Sequence, residues 1–164
     1  MKQRLAFAVL LALQLSCADT GTGPADRRFN LLVQYGIGAR NELNTFNNTF
    51  TKDLILDGTA TIALVLSQAD FDTIEACFQS IDVFSYPDTF VVQHSDTIGY
   101  VTPFPTYILR LKVDSREKNL VWSDSILSSD ERAVKLRKAF ELIRTIVGAT
   151  PEYQRLPPSR GGYL

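Results

Sequence analysis

The chain has 164 residues, 45% of them hydrophobic, which is enough for one ordinary core and too little for two. Its formal charge is −1, and the rest of the chain becomes more acidic once Lys2 and Arg4, which belong to an expected leader, are set aside. With no basic block and no internal repeat, the charge pattern gives no reason to expect nucleic acid as a partner.

Lys2 and Arg4 precede the apolar run Leu5–Leu13, which has the length of a signal-peptide core and is too short for a membrane-spanning helix. Residues 1–17 are therefore read as an export signal. Its end, Leu13-Gln14-Leu15-Ser16-Cys17, resembles the lipobox of bacterial lipoproteins, in which a small residue precedes a lipidated cysteine. Gln14 departs from that pattern, because an apolar residue is preferred three positions before the cysteine. The resemblance implies that Cys17 becomes the acylated first residue of the mature protein, anchoring it in the membrane. Ordinary signal peptidase cutting after Ala18 would instead leave a soluble periplasmic or secreted product. Residues 18–28 are small, polar, and Gly- and Pro-containing, and they read as a flexible tether.

A domain is expected over residues 29–156. Phe29, Leu31, Val33 and Tyr35 alternate with Asn30, Leu32 and Gln34, giving a first strand that stops at Gly36-Ile37-Gly38. The Asn-rich segment Asn41–Phe50 reads as strand, turn, strand, with Asn47-Asn48 suited to the left-handed turn conformation. Asp57-Gly58 then predicts a hairpin into Thr59–Leu66 and completes a β-meander. Ser67 and Asp70 form a capping box for a helix from Gln68 to about Asp82, whose stripe is Phe71, Ile74, Phe78 and Ile81. Phe90–His94 is read as a short edge strand.

Tyr107, Leu109, Leu111 and Val113 alternate with Arg110, Lys112 and Asp114 in the clearest strand signal of the chain. The polar run Asp114–Asn119 predicts a turn returning the chain through Leu120-Val121-Trp122. A last helix is predicted with Ser128 and Glu131 as its capping box, Leu136, Phe140, Ile143 and Val147 as its buried stripe, and Gly148 as its C-terminal cap before Pro151. Residues 157–164 are expected to be irregular. The fold class is thus α+β with two layers, a mainly antiparallel sheet made of a meander plus a central hairpin and packed by two amphipathic helices.

Asn41–Phe46, Thr51–Leu54, Phe84–Pro87 and Pro151–Tyr153 together look like parts of small uncharacterised domains in bacterial envelope lipoproteins. That resemblance implies a fold and a location in the cell envelope, with no activity to carry over.

Residues able to support chemistry are sparse. His94 is followed by Ser95 and Asp96, but neighbours on an extended chain point to opposite faces, so a nucleophile-base pair is not expected there. One histidine and one cysteine in the folded part, Cys77, do not make a zinc set, and Asp53-x3-Asp57-Gly58 lacks the ligands of a calcium loop, so no metal or cofactor site is expected. Cys77 sits beside the first helix's stripe and is expected buried and unreactive. Phe46, Phe50, Phe90, Phe104, Tyr86 and Tyr107 are aromatic residues able to line a ligand groove, with Phe46, Phe50, Tyr86 and His94 as the candidate set. The expected function is a non-catalytic envelope module that binds a protein, a glycan or a small ligand. The alternative is an envelope enzyme or enzyme inhibitor with a site near the Asn-rich hairpin or His94.

Overall fold

The computed structural model describes residues 27–93 and 97–164. The leader, Cys17, the tether as far as residue 26, and His94 lie outside the described residues. Arg27 and Arg28, the last two residues of the expected tether, are held on the domain. The Arg27 guanidinium donates to Asn48 Oδ1 at 3.0 Å, and that of Arg28 donates to Glu75 Oε1 at 2.6 Å.

The meander is present as β1 (Phe29–Tyr35), β2 (Asn41–Asn44), β3 (Thr49–Ile55) and β4 (Gly58–Ala63), each antiparallel to the next. Then follow α1 (Gln68–Ser80), a 3-10 turn at Val83–Ser85, β5 (Thr89–Phe90), β6 (Thr97–Tyr100), the long hairpin β7 (Thr106–Val113) and β8 (Arg116–Ser123), β9 (Ile126–Ser128), α2 (Glu131–Ala149) and the one-turn α3 (Pro151–Gln154). The sheet order is β4-β3-β2-β1-β7-β8-β5, antiparallel throughout except that β5 runs parallel to β8. A second sheet pairs β6 with β9. The α+β two-layer fold with a mainly antiparallel sheet is therefore as expected, with the small second sheet as an addition.

One face of the large sheet carries the core. Phe29, Leu31 and Val33 of β1, Leu43, Phe50, Leu109, Leu111, Leu120 and Trp122 are buried beneath Phe71, Ile74 and Phe78 of α1 and Leu136, Phe140, Ile143 and Val147 of α2. Ring contacts join the layers: Phe29 meets Phe71 edge-on at 6.2 Å, and Tyr107 lies parallel to Phe140 at 4.3 Å. The opposite face, with Arg110, Glu117, Asn119, Thr51 and Thr61, is left open to solvent as antiparallel sheets permit.

Several local expectations shift. The β7–β8 turn is only Asp114-Ser115, because Val113 pairs with Arg116 and the charged run continues the ladder. Lys118 is buried on the helix side, where its ammonium donates to Asp88 Oδ1 at 2.6 Å and to the Tyr86 carbonyl. The β3–β4 hairpin turns through Leu56-Asp57, with Gly58 taking the positive φ of 78° that a residue with a Cβ adopts only under strain. Ser67 and Asp70 do form the capping box of α1, but the helix stops at Ser80 and Ile81 is its C-cap. For α2 the N-cap is Asp130, whose carboxylate accepts from Ala133 N at 2.8 Å, while Ser128 Oγ accepts from Asp130 N. Gly148 lies inside that helix, and Thr150 caps both the end of α2 and the start of α3. Cys77 is half-buried, and burial raises its thiol pKa.

Candidate functional site

A groove of about 540 Å³ lies on the helix side of the sheet. Three layers of the chain build it: the ends of β1, β2, β3 and β7, the C-terminal half of α2 with α3, and the segment after α3. Its position follows from register. Leu109 faces Val33, so the next pair on the helix side of β1 and β7 brings Tyr107 beside Tyr35, and the chain then leaves the sheet at Gly36 and Pro105. Gly36 has a φ of 94°, and a Cβ built there would fall 2.9 Å from Asn41 Nδ2, so the groove's floor depends on a glycine at that point.

The Asn41 side chain closes the same corner, since its amide donates to the Tyr35 carbonyl and its oxygen accepts from Asp53 N at 3.0 Å. β2 begins at Asn41, so β3 beyond Thr51 has lost that neighbour. The C-terminal segment lies there instead. Arg160 N donates to the Leu54 carbonyl at 3.2 Å, Ser159 Oγ donates to the Asp53 carbonyl at 2.6 Å, and the Arg160 guanidinium grips the Asp57 carboxylate. Residues 157–164 contain no strand but are docked. Tyr163 completes the wall by donating its hydroxyl to Asp53 Oδ2.

Four tyrosines, Tyr35, Tyr107, Tyr153 and Tyr163, line this groove. Tyr107 is fixed between Phe140 and Trp122, at centroid distances of 4.3 and 5.3 Å. Tyr153 leans on Phe50 at 5.5 Å, and the Lys52 ammonium lies over its ring, 5.0 Å from the centroid. Burial raises the phenol pKa of Tyr35 and Tyr107, and the hydrogen bond to Asp53 raises that of Tyr163, so these three are neutral phenols at neutral pH that both donate and accept. The hydroxyls of Tyr86 and Tyr163 are hydrogen-bonded within the protein. Those of Tyr35, Tyr107 and Tyr153 have no protein partner among the described residues, and none is sealed from solvent.

Charge in the groove is balanced. Arg144 pairs with Glu141 at 2.7 Å, Asp53 has Arg40 at 3.7 Å, and the Lys52 ammonium donates to the Pro157 carbonyl at 2.8 Å.

The residues singled out from the sequence do not converge. Phe46 sits on the open face, its ring beneath the Arg110 guanidinium at 5.3 Å. Phe50 is fully buried and backs Tyr153 from behind the groove wall. Tyr86 is not part of the groove lining; it packs on Phe90 and donates to the Arg132 carbonyl at 3.1 Å. His94 lies outside the described residues. Of the wider aromatic set, only Tyr107 lines the groove. In the Asn-rich hairpin the side chains serve the turn: Asn44 Oδ1 accepts from Asn47 N, and Asn48 holds a φ of 52°. Tyr35 ends β1, Tyr153 lies in the one-turn α3 and Tyr163 in the irregular tail, and at such positions periodicity carries no information about which residues meet.

Among the described residues no helix is long and apolar enough to cross a membrane, and no group of His, Cys, Asp and Glu is placed to hold a metal ion. Compared with known proteins, the chain matches no family model, no curated protein and no solved structure.

Proposed function

We propose that this chain is an exported cell-envelope protein, anchored by lipid on Cys17, whose domain is a non-catalytic binding module using the tyrosine groove as its binding surface. The observation that carries the reading is that three tyrosines lining one concavity, Tyr35, Tyr107 and Tyr153, have hydroxyls with no protein partner among the described residues, because polar groups on the wall of a preformed pocket are what fixes a bound molecule. Support for the anchored location comes from the leader and from Leu13–Cys17. The chain enters the sheet at Phe29, and the groove opens at the other end of β1, roughly 20 Å away at ~3.3 Å per residue, so an anchor before the domain leaves the groove unobstructed.

Two measurements test the two halves of this reading. Metabolic labelling with a fatty-acid analogue should mark the wild-type protein and not Cys17→Ser, which should accumulate unprocessed or soluble; an unlabelled wild type beginning at Asp19 would reject the anchor. Capture from native envelopes with the full chain should recover a component that is lost when Tyr107 is replaced by alanine. Equal recovery by both would remove the groove from the function.

A further inference from the structure

We infer that the ligand of the groove is a neutral oligosaccharide, an assignment that rests on the binding-module reading and names its chemical class. Three features of the wall point the same way.

The first is rigidity. Tyr107 is stacked between Phe140 and Trp122, at 12° and 28°, so it meets the groove with its edge and hydroxyl rather than a ring face, and little side-chain freedom remains to be lost when a ligand hydrogen-bonds there.

The second is hydrogen-bonding capacity. The hydroxyls of Tyr35, Tyr107 and Tyr153 have no protein partner among the described residues and reach solvent, so each is free to hydrogen-bond a ligand. Each can donate and accept, as sugar hydroxyls do. An aliphatic ligand would cover these hydroxyls without satisfying them, at a cost of ~1–3 kcal/mol for each buried polar group.

The third is charge. The lining contains Lys52 and Arg144 against Asp53 and Glu141, and each already has a partner: Arg144 has Glu141, Asp53 has Arg40 and Tyr163, and Lys52 has the Pro157 carbonyl. An anionic ligand would have to break one of these contacts and would meet two carboxylates in the same wall. A ligand with many hydroxyls and no charge disturbs none of them. The groove volume of about 540 Å³ lies within the ~300–1,000 Å³ usual for such sites.

Calorimetric titration of the full chain in detergent tests the assignment, with maltotetraose, cellotetraose, mannotetraose and N-acetylchitotetraose as neutral probes and with citrate, inorganic phosphate and laurate as the competing chemistries. At least one neutral tetrasaccharide should bind, and Tyr35→Phe and Tyr107→Phe should each weaken it roughly tenfold, the loss of about one hydrogen bond. Tyr86→Phe, which removes a hydroxyl outside the groove that is bonded to the Arg132 carbonyl, should bind as wild type. Thermal midpoints of the phenylalanine variants show that each is folded, since the rings are retained. No binding of any neutral probe overturns the assignment, as does binding that survives both groove variants. Citrate, phosphate or laurate bound in place of the sugars, and lost in the same variants, overturns the sugar while the binding module stands. Silence of every probe together with unchanged envelope capture by Tyr107→Ala takes down both.

Discussion

Individual side chains set the strength of this fold. Phe140 is fully buried and stacked on Tyr107, whereas Lys138, two residues earlier, is exposed. Phe140→Ala should cost roughly 3–5 kcal/mol, a large part of a typical ~5–15 kcal/mol, and Lys138→Ala almost nothing. Chemical denaturation checks this, and equal midpoints would mean that α2 presents a different face. These residues were legible because a stripe at helical spacing names its own buried face. Glu75 was not: it stands inside the α1 stripe and is buried because Arg28, distant in sequence, reaches it at 2.6 Å. Only the tertiary fold supplies that partner. The tyrosines add a pH dependence. Burial raises the phenol pKa of Tyr35 and Tyr107 in the folded chain, so their contribution to stability is complete below the ordinary tyrosine value of about 10 and is lost as pH rises above it. Stability should therefore hold across neutral pH and fall in alkali, with part of the phenolate absorbance appearing only as the protein unfolds. Full ionisation in a still-folded protein, with no loss of stability, would show that the folded environment does not oppose the phenolate form of these tyrosines.

At the scale of elements, helix ends decide where the sequence reading succeeds. Ser67 and Asp70 lie three apart and cap α1 reciprocally, as their spacing predicts. Ser128 and Glu131 have the same spacing, but Asp130 takes the role, because Ser128 belongs to β9 and pairs with Thr97. The β6–β9 pairing joins two short segments far apart in the chain, and neither has the period of a strand long enough to be read alone. Two opposite shifts follow for α2. Asp130→Ala removes the acceptor for Ala133 N and should destabilise by about 1 kcal/mol. Gly148→Ala should stabilise by roughly 0.5–1 kcal/mol, since Gly148 is within the helix and a Cβ there meets nothing within 4 Å. A glycine needed as a C-terminal cap would give the reverse sign, so the two thermal midpoints separate the assignments. The central hairpin shows the same division: its alternation marked β7 correctly, and the charged residues after Asp114 hid the start of β8 because their alternation places Glu117 and Asn119 on the open face and Lys118 over Asp88.

Across the whole molecule, the order of elements along the chain was readable and the closure of the groove was not. Periodicity identifies strands and helices one at a time, but the groove exists because the last residues return to the first hairpins, with Arg160 on Asp57 and Tyr163 on Asp53. The Asp57 carboxylate is held below its ordinary pKa by the Arg160 hydrogen bond. A depressed carboxylate contributes its attachment above the unfolded value near 4 and loses it as pH falls through the lower folded value, so the C-terminal segment should stay docked at neutral pH and loosen only in acid. Asp57→Asn should loosen it at neutral pH. A chain ending at Leu156 carries the test further. It leaves the helices and the sheet core intact, because none of residues 157–164 belongs to the buried cluster, but it removes the Ser159 and Tyr163 hydrogen bonds to Asp53 and the pairing beside Leu54. Cooperative unfolding should persist with a loss of roughly 1–3 kcal/mol, while hydrogen exchange at Leu56, whose amide donates to the Arg160 carbonyl, should accelerate and any groove ligand should bind less well. Unchanged exchange and unchanged binding in the shortened chain would show that the segment rests on a groove already complete without it.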